Sequence, residues 1–287
     1  MSAPQSPSQA PPVPFFERHE FLLRRLHSLS GIIPVGAYMV IHLLTNASVL
    51  DSAATFQRSV YSIHALGKVL PVVEWTFIFI PLLYHAVYGV LITRGALPNS
   101  STYKYTSNVR YTLQRATGMI AFVFIIWHVF HMHGWIHADW WMKGVAQPLY
   151  GGIFRPYNAA STGAEAMRIS GIVPILYAIG VLACVFHLAN GIWTFGITWG
   201  IWVTPASQRW ATAACLIFGL GLGAVSMGAL SGFAFVVDVK QAREVEENMY
   251  NAKVAAKEIS PNDHKRYHEP TTKESGKPAE TAAVSQP

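Results

Sequence analysis

Four histidines stand where a histidine is costly. His42, His85, His128 and His187 each lie inside a different long apolar run. An ionisable side chain at membrane depth faces the interior of a helix bundle and marks a functional site by default. His85 sits in "IFIPLLYHAVYGVLI" with Gly89 one helical turn later, and "HLANG" repeats the spacing with His187 and Gly191.

Depth sorts the four. His42 lies 17 residues beyond Arg25, and His128 lies 13 beyond Arg115. At 1.5 Å per residue both sit roughly 20–25 Å from the amino-terminal side of the membrane. His85 comes nine residues before Arg94, and His187 stands at a similar remove from the end of its run, about 14–20 Å from that side. The result is an outer pair, His42 with His128, and an inner pair, His85 with His187.

Two neutral imidazoles on facing helices at one depth can hold the iron of a flat cofactor from both sides, and haem suits that geometry. A glycine one turn along lets a macrocycle approach the backbone, which is the reading of Gly89 and Gly191. No C-x-x-C-H occurs, so attachment is expected to be non-covalent, as in b-type haems. The halves also echo each other. "RLHSLSG" leads through about ten apolar residues to His42, and "RATG" leads likewise to His128.

The elements that position these residues follow from composition. Of 287 residues, 52% are hydrophobic and 13% charged, about half the charged fraction of a soluble domain. Apolar windows of about 20 residues fall near 29–50, 72–93, 115–134, 170–197 and 210–237. No alternating barrel pattern is present, so these are helices. Pro34, Pro81 and Pro174 lie within or near their ends, where kinks are tolerated. The expectation is an all-α membrane protein of five transmembrane helices over residues 15–237, the first four forming a haem-binding bundle. It is flanked by a disordered lead at 1–14 and a polar tail at 238–287, partly helical or disordered.

Lys and Arg are biased toward one side, with Arg18, Arg24, Arg25, Arg94, Lys104, Arg110, Arg115 and Arg209 against Arg58, Lys68, Lys143, Arg155 and Arg168. That bias puts the amino terminus in the cytoplasm and the 135–169 loop outside, where Trp135, Trp140 and Trp141 suit an interfacial girdle. His131, His133 and His137 read as an interfacial, partly solvated cluster. The net charge of +6 comes from Lys and Arg beside apolar runs, which argues against nucleic acid. Cys184 and Cys215 read as buried hydrophobes with no disulfide.

Arg24, Arg25, His27, Arg94 and Arg115 ring the cytoplasmic end. All serve as positive-inside anchors on one reading. On another, Arg25, His27 and Arg115 pair with haem propionates, and Arg115 with Thr117 hydrogen-bonds a quinone headgroup. An external quinone pocket near Asn46 and Asp51 is the alternative. A proton-relaying transporter is a rival for the whole chain, though its spans hold almost no interior Asp or Glu.

The segments "FLLRRLHSLSGIIPVGAYMVIHLLTN", "FIPLLYHAVYGV", "LQRATGMIAFVFIIWHV" and "FHLANGIWTFGITWGIWVTPASQR" resemble the dihaem cytochrome b membrane anchor of succinate:quinone oxidoreductases, the five-helix single-subunit type. The resemblance covers about residues 16–232. It implies two haems b, with His42 and His128 holding the one far from the iron-sulfur subunit and His85 and His187 the near one. It also implies flavoprotein and iron-sulfur partners on the cytoplasmic face of a bacterial inner membrane. Electrons would pass from succinate to quinone, often menaquinone, as in respiratory complex II of the tricarboxylic acid cycle. The same subunit in a quinol:fumarate reductase stays open. A cytochrome of the bc complex fits poorly, because there two helices carry two histidines each. Some dihaem fumarate reductases carry an acidic residue two before the fourth ligand, where this chain has Val185. The chain holds no flavin-binding G-x-G-x-x-G and no iron-sulfur cysteine run, so it is not expected to act on succinate by itself.

Overall fold

The computed structural model describes residues 14–94 and 106–267. The lead short of Pro14, Lys104 and the end of the tail lie outside the described residues. The first span, Glu20–Leu50, is two helices, α1 (Glu20–Ile32) and α2 (Val35–Ala47), separated at Pro34. Proline has no N–H to give the preceding turn, so the hydrogen-bond ladder is interrupted there. The helix starts nine residues before the apolar window. Arg24 pairs with Glu20 one turn earlier at 2.6 Å, a spacing that supports a polar helical turn.

Helix α3 (Ala53–His64) lies beyond the far end of that span, with Ser52 accepting from the Thr55 N–H at 3.1 Å as its cap. The second span, Gly67–Arg94, passes a π turn at Trp75–Phe79 into α4 (Ile80–Arg94). The wide turn falls just before Pro81, which can give no N–H to it. The third span is α5 (Thr106–His133). Helix α6 (Ala159–Arg168) precedes α7 (Ile172–Thr198), the fourth span. Pro174 falls in the first turn of α7, where a missing N–H costs little.

The fifth span is α8 (Pro205–Ser231), extended by a π turn at Gly232–Val236. Its start is fixed by Pro205 and a reciprocal cap in which Ser207 N donates to Thr204 Oγ1 and Thr204 N to Ser207 Oγ, each at 3.1 Å. Asp238 then caps α9 (Val239–Ala255), accepting from Lys240 N at 2.9 Å and Gln241 N at 3.1 Å. Among the described residues, five helical segments are long and apolar enough to cross a bilayer. The chain is an all-α, multi-pass membrane protein.

Helix α7 is the hub, packing against α5, α8 and α1, while α4 packs on α1 and α8 on α2. Leu43, Val185, Leu188 and Leu222 fill the seam between α2, α7 and α8. Apolar side chains such as Val123, Ile217 and Leu220 stay exposed on the outer faces, as lipid-facing residues of a bundle do.

Opposite the amino-terminal side, α3, α6 and α9 pack together into a cap. Phe56, Val60, Met167, Phe233 and Ala242 share its core. The start of α6 is its polar centre. Ala159 N donates to Gln57 Oε1 at 2.9 Å, and Ala160 N and Ser161 N donate to Glu246 Oε1 at 2.6 and 3.1 Å. Ser161 Oγ donates to Glu246 Oε2 at 2.6 Å. Gln57 and Glu246 are fully buried, and they satisfy N–H groups that a helix cannot satisfy itself. The 135–169 loop is therefore more than an interfacial girdle. Trp140 is exposed, but Trp141 donates to Gly134 O at 2.6 Å, and the second half of the loop is buried as α6.

Candidate functional site

The four interior histidines meet in two pairs. His85 on α4 and His187 on α7 have ring centres 6.0 Å apart with planes at 81°. His42 on α2 and His128 on α5 are also 6.0 Å apart, with planes at 73°. Neither pair is stacked face to face. An imidazole nitrogen binds a transition metal at about 2.0–2.1 Å, and the ring centre lies roughly 1 Å further back, so two imidazoles facing across one ion have centres about 6 Å apart. Both pairs have that spacing.

The inner pair is built twice from the same parts. His85 Nδ1 donates to His27 O at 2.9 Å, and His187 Nδ1 donates to Gln114 O at 3.0 Å. Each carbonyl belongs to the residue four before a glycine, Gly31 or Gly118. A Cβ at Gly31 would collide with the His85 ring, and one at Gly118 would come within 2.8 Å of His187 Cε1. With Nδ1 engaged in this way, Nε2 is the nitrogen left for a metal, the usual arrangement of a ligating histidine. Among the described residues no hydrogen bond occupies Nε2 of either ring.

The outer pair is less uniform. His128 Nδ1 faces the hydroxyl of Tyr177 at 3.2 Å. His42 Nε2, by contrast, meets Asn46 Nδ2 at 3.1 Å one turn along its own helix. Asn46 must turn away for His42 to use that nitrogen. With that one rearrangement, the donor set fits bis-imidazole ligation at two positions. Val185 lies in the apolar seam beside Leu43 and Leu222.

Gly89 and Gly191 are placed differently from Gly31 and Gly118. A Cβ at Gly89 would come 3.1 Å from His27 Cε1, and one at Gly191 would come 3.6 Å from Gln114 Nε2. His27 stacks on His85 at 4.1 Å with planes 7° apart. His27 Nδ1 and Arg25 Nε are buried without a partner among the described residues. The Arg25 guanidinium lies over Phe21 and Trp199, at 4.7 and 4.9 Å from their ring centres. Arg115 donates to Ile92 O at 3.0 Å and lies over Tyr111. The Thr117 hydroxyl donates back to Leu113 O at 2.7 Å on its own helix, so its proton is not presented to a ligand.

Two further features were not foreseen. A polar chain leads from Arg110 Nε to Asn190 Oδ1 (2.9 Å), from Asn190 Nδ2 to Gln114 Oε1 (2.8 Å) and from Gln114 Nε2 to His187 O (3.1 Å). It fixes the residue whose carbonyl holds His187. Gln114 occupies in "LQRATG" the place of His27 in "RLHSLSG", and that alignment is the signal that could have found it. The expected cluster of His131, His133 and His137 forms only in part, with His133 and His137 at 4.1 Å between ring centres and His131 apart from them. His131 is buried against Tyr177, while the other two are exposed and His137 Nε2 donates to His133 O at 3.1 Å. His131 and His133 differ in helical phase at the end of α5, and His137 lies beyond the helix, past Gly134 at φ +80°. Among the described residues no group of three or more His, Cys, Asp or Glu side chains is placed to hold a metal ion.

No protein-family model matches the chain. Over 223 residues it is 39% identical to the succinate dehydrogenase cytochrome b558 subunit of Bacillus subtilis (strain 168), covering 76% of this chain and 98% of that protein. The chain belongs to the succinate dehydrogenase cytochrome b subunit family. Nearly the whole length of that relative is covered. About a quarter of this chain lies outside it.

Proposed function

We propose that this chain is the membrane anchor of a succinate dehydrogenase, that it carries two b-type haems, and that it passes electrons from an iron-sulfur partner to a membrane quinone. The observation that carries the reading is the pair of histidine pairs, each with ring centres 6.0 Å apart. The relative's name, a cytochrome b subunit, supports it. His85 with His187 hold the inner haem, and His42 with His128 hold the outer one. When bound, haem iron supplies reversible one-electron transfer at a potential set by its ligands and surroundings.

The chain's own residues do the rest. The carbonyls of His27 and Gln114 orient the inner imidazoles and keep the proton on Nδ1. Leu43, Val185 and Leu188 keep water out of the bundle seam. Arg25, His27 and Arg115 lie toward the positively charged, cytoplasmic end, where cations attract propionate carboxylates. The unpartnered nitrogens of Arg25 and His27 favour this end for the quinone headgroup, menaquinone in this reading. The flavoprotein and iron-sulfur subunits dock on the same face, with the amino terminus in the cytoplasm of a bacterial inner membrane.

Haem extraction from the purified complex tests the proposal. Two protohaems per chain, both reducible by succinate, are expected. None, or one, overturns it.

A further inference from the structure

Tyr177 joins two histidines through one oxygen. Its hydroxyl lies 3.2 Å from His128 Nδ1 and 2.9 Å from His131 Nδ1. Tyr177 is 5% exposed and His131 3%. Aromatic rings confine the group. Trp127 stacks on His131 at 5.0 Å with planes 10° apart and meets Tyr177 at 5.1 Å, and Phe124 stands edge-on to Tyr177 at 5.4 Å. His131 Nε2 is buried with no partner among the described residues, so the ring is held by Nδ1 and by stacking. A histidine and a tyrosine buried together near the end of a span need a reason; at the inner pair His27 stacks on His85, but among the described residues no tyrosine hydroxyl is bonded to either ligand.

We propose that Tyr177, oriented by His131, is the positioning residue of the outer haem ligand His128 and tunes that haem alone. The inference rests on the ligation proposed above. Ligation through Nε2 puts the His128 proton on Nδ1, which then donates to the Tyr177 oxygen. The Tyr177 O–H is left to donate to His131 Nδ1, and His131 carries its own proton on Nε2. Each step fixes the next, and a hydroxyl that donates onward is a stronger acceptor. The inner ligands donate instead to main-chain carbonyls, which no side-chain substitution removes. The outer ligand's acceptor is a side chain. Taking it away makes the imidazole less electron-rich, so the ferric state loses stabilisation and the potential rises.

Redox titration of the intact complex carrying Tyr177→Phe is the test. One of the two haem signals is expected to change its ferric-to-ferrous ratio about tenfold at fixed ambient potential, the scale on which such outer partners act, equivalent to about 59 mV upward for one electron. The other signal stays in place, and haem content stays at two per chain. His131→Phe moves the same signal in the same direction by less. Unmoved potentials with both haems retained overturn the proposal, as does an equal shift of both signals. If Tyr177→Phe does not retain haem, His131→Phe alone decides between a shift of one signal and none. Loss of the outer haem in both variants also overturns it, because the residues would then be scaffold. Fewer than two haems in the unmodified complex is a different outcome, the failure of the ligation reading itself.

Discussion

The imidazole of His85 rests directly on the backbone of Gly31, where no Cβ fits. Its Nδ1 is tied to His27 O on the same helix at 2.9 Å, so the ring cannot swing aside without losing that bond. The second half of the bundle repeats the contact between His187 and Gly118, with the added Cβ at 2.8 Å. Gly31→Ala and Gly118→Ala are each expected to displace one inner imidazole. The optical spectrum of either variant should lose the inner haem band while the outer band persists. Two intact bands would show that the rings can yield.

The chain from Arg110 through Asn190 and Gln114 to His187 crosses from α5 to α7 with three hydrogen bonds. Asn190 is 5% exposed. Asn190→Leu leaves Gln114 Oε1 without this donor and Arg110 Nε without this acceptor, at a cost of about 1–3 kcal/mol. Thermal unfolding of the detergent-solubilised complex should show a lowered midpoint, with the inner haem lost first.

Glu246 accepts three hydrogen bonds at the start of α6 while fully buried. Glu246→Ala orphans two N–H groups and leaves the Ser161 hydroxyl only Asn158 O at 3.4 Å, at a cost of about 3 kcal/mol to the cap. Amide exchange at Ala160 and Ser161 should accelerate sharply. The haem spectrum should not change, because the cap holds none of the four histidines proposed as ligands.

The spans, the four histidines and their pairing by depth were legible because lipid imposes a simple rule: about 20 apolar residues per crossing, with every polar exception a candidate. Those exceptions were easy to see at His42, His85, His128 and His187. The cap was not legible for the opposite reason. Its helices are short and polar on one face, and Glu246 belongs to a tail whose charges look solvated. Only the spacing Ala242, Glu246, Tyr250, all buried, marks an inward stripe. Gln114 was hidden because its role belongs to its carbonyl, which any residue type supplies. The expected cluster at His131, His133 and His137 lost His131 because residues two apart on a helix point to different faces, while His137 returns to His133 from beyond the helix end.

His64 lies in the cap and is half-buried, with Nδ1 donating to Val60 O at 3.0 Å. Burial is the main cause that holds its imidazole below the ordinary value of 6.5. The folded cap therefore binds this proton less tightly than the unfolded chain does. Its contribution to stability is present above about 6.5 and is lost as pH falls below that and through the lowered folded value. Denaturation midpoints taken from about pH 8 down to about pH 5 should fall in the parent protein, and His64→Gln should flatten that slope.

Single replacements of the four histidines test the central claim most directly, read by the reduced-minus-oxidised spectrum of each purified complex. His85→Ala and His187→Ala should remove the same haem signal, and His42→Ala and His128→Ala the other. A spectrum in which both signals survive any one replacement, or in which partners assigned to one pair remove different signals, contradicts it.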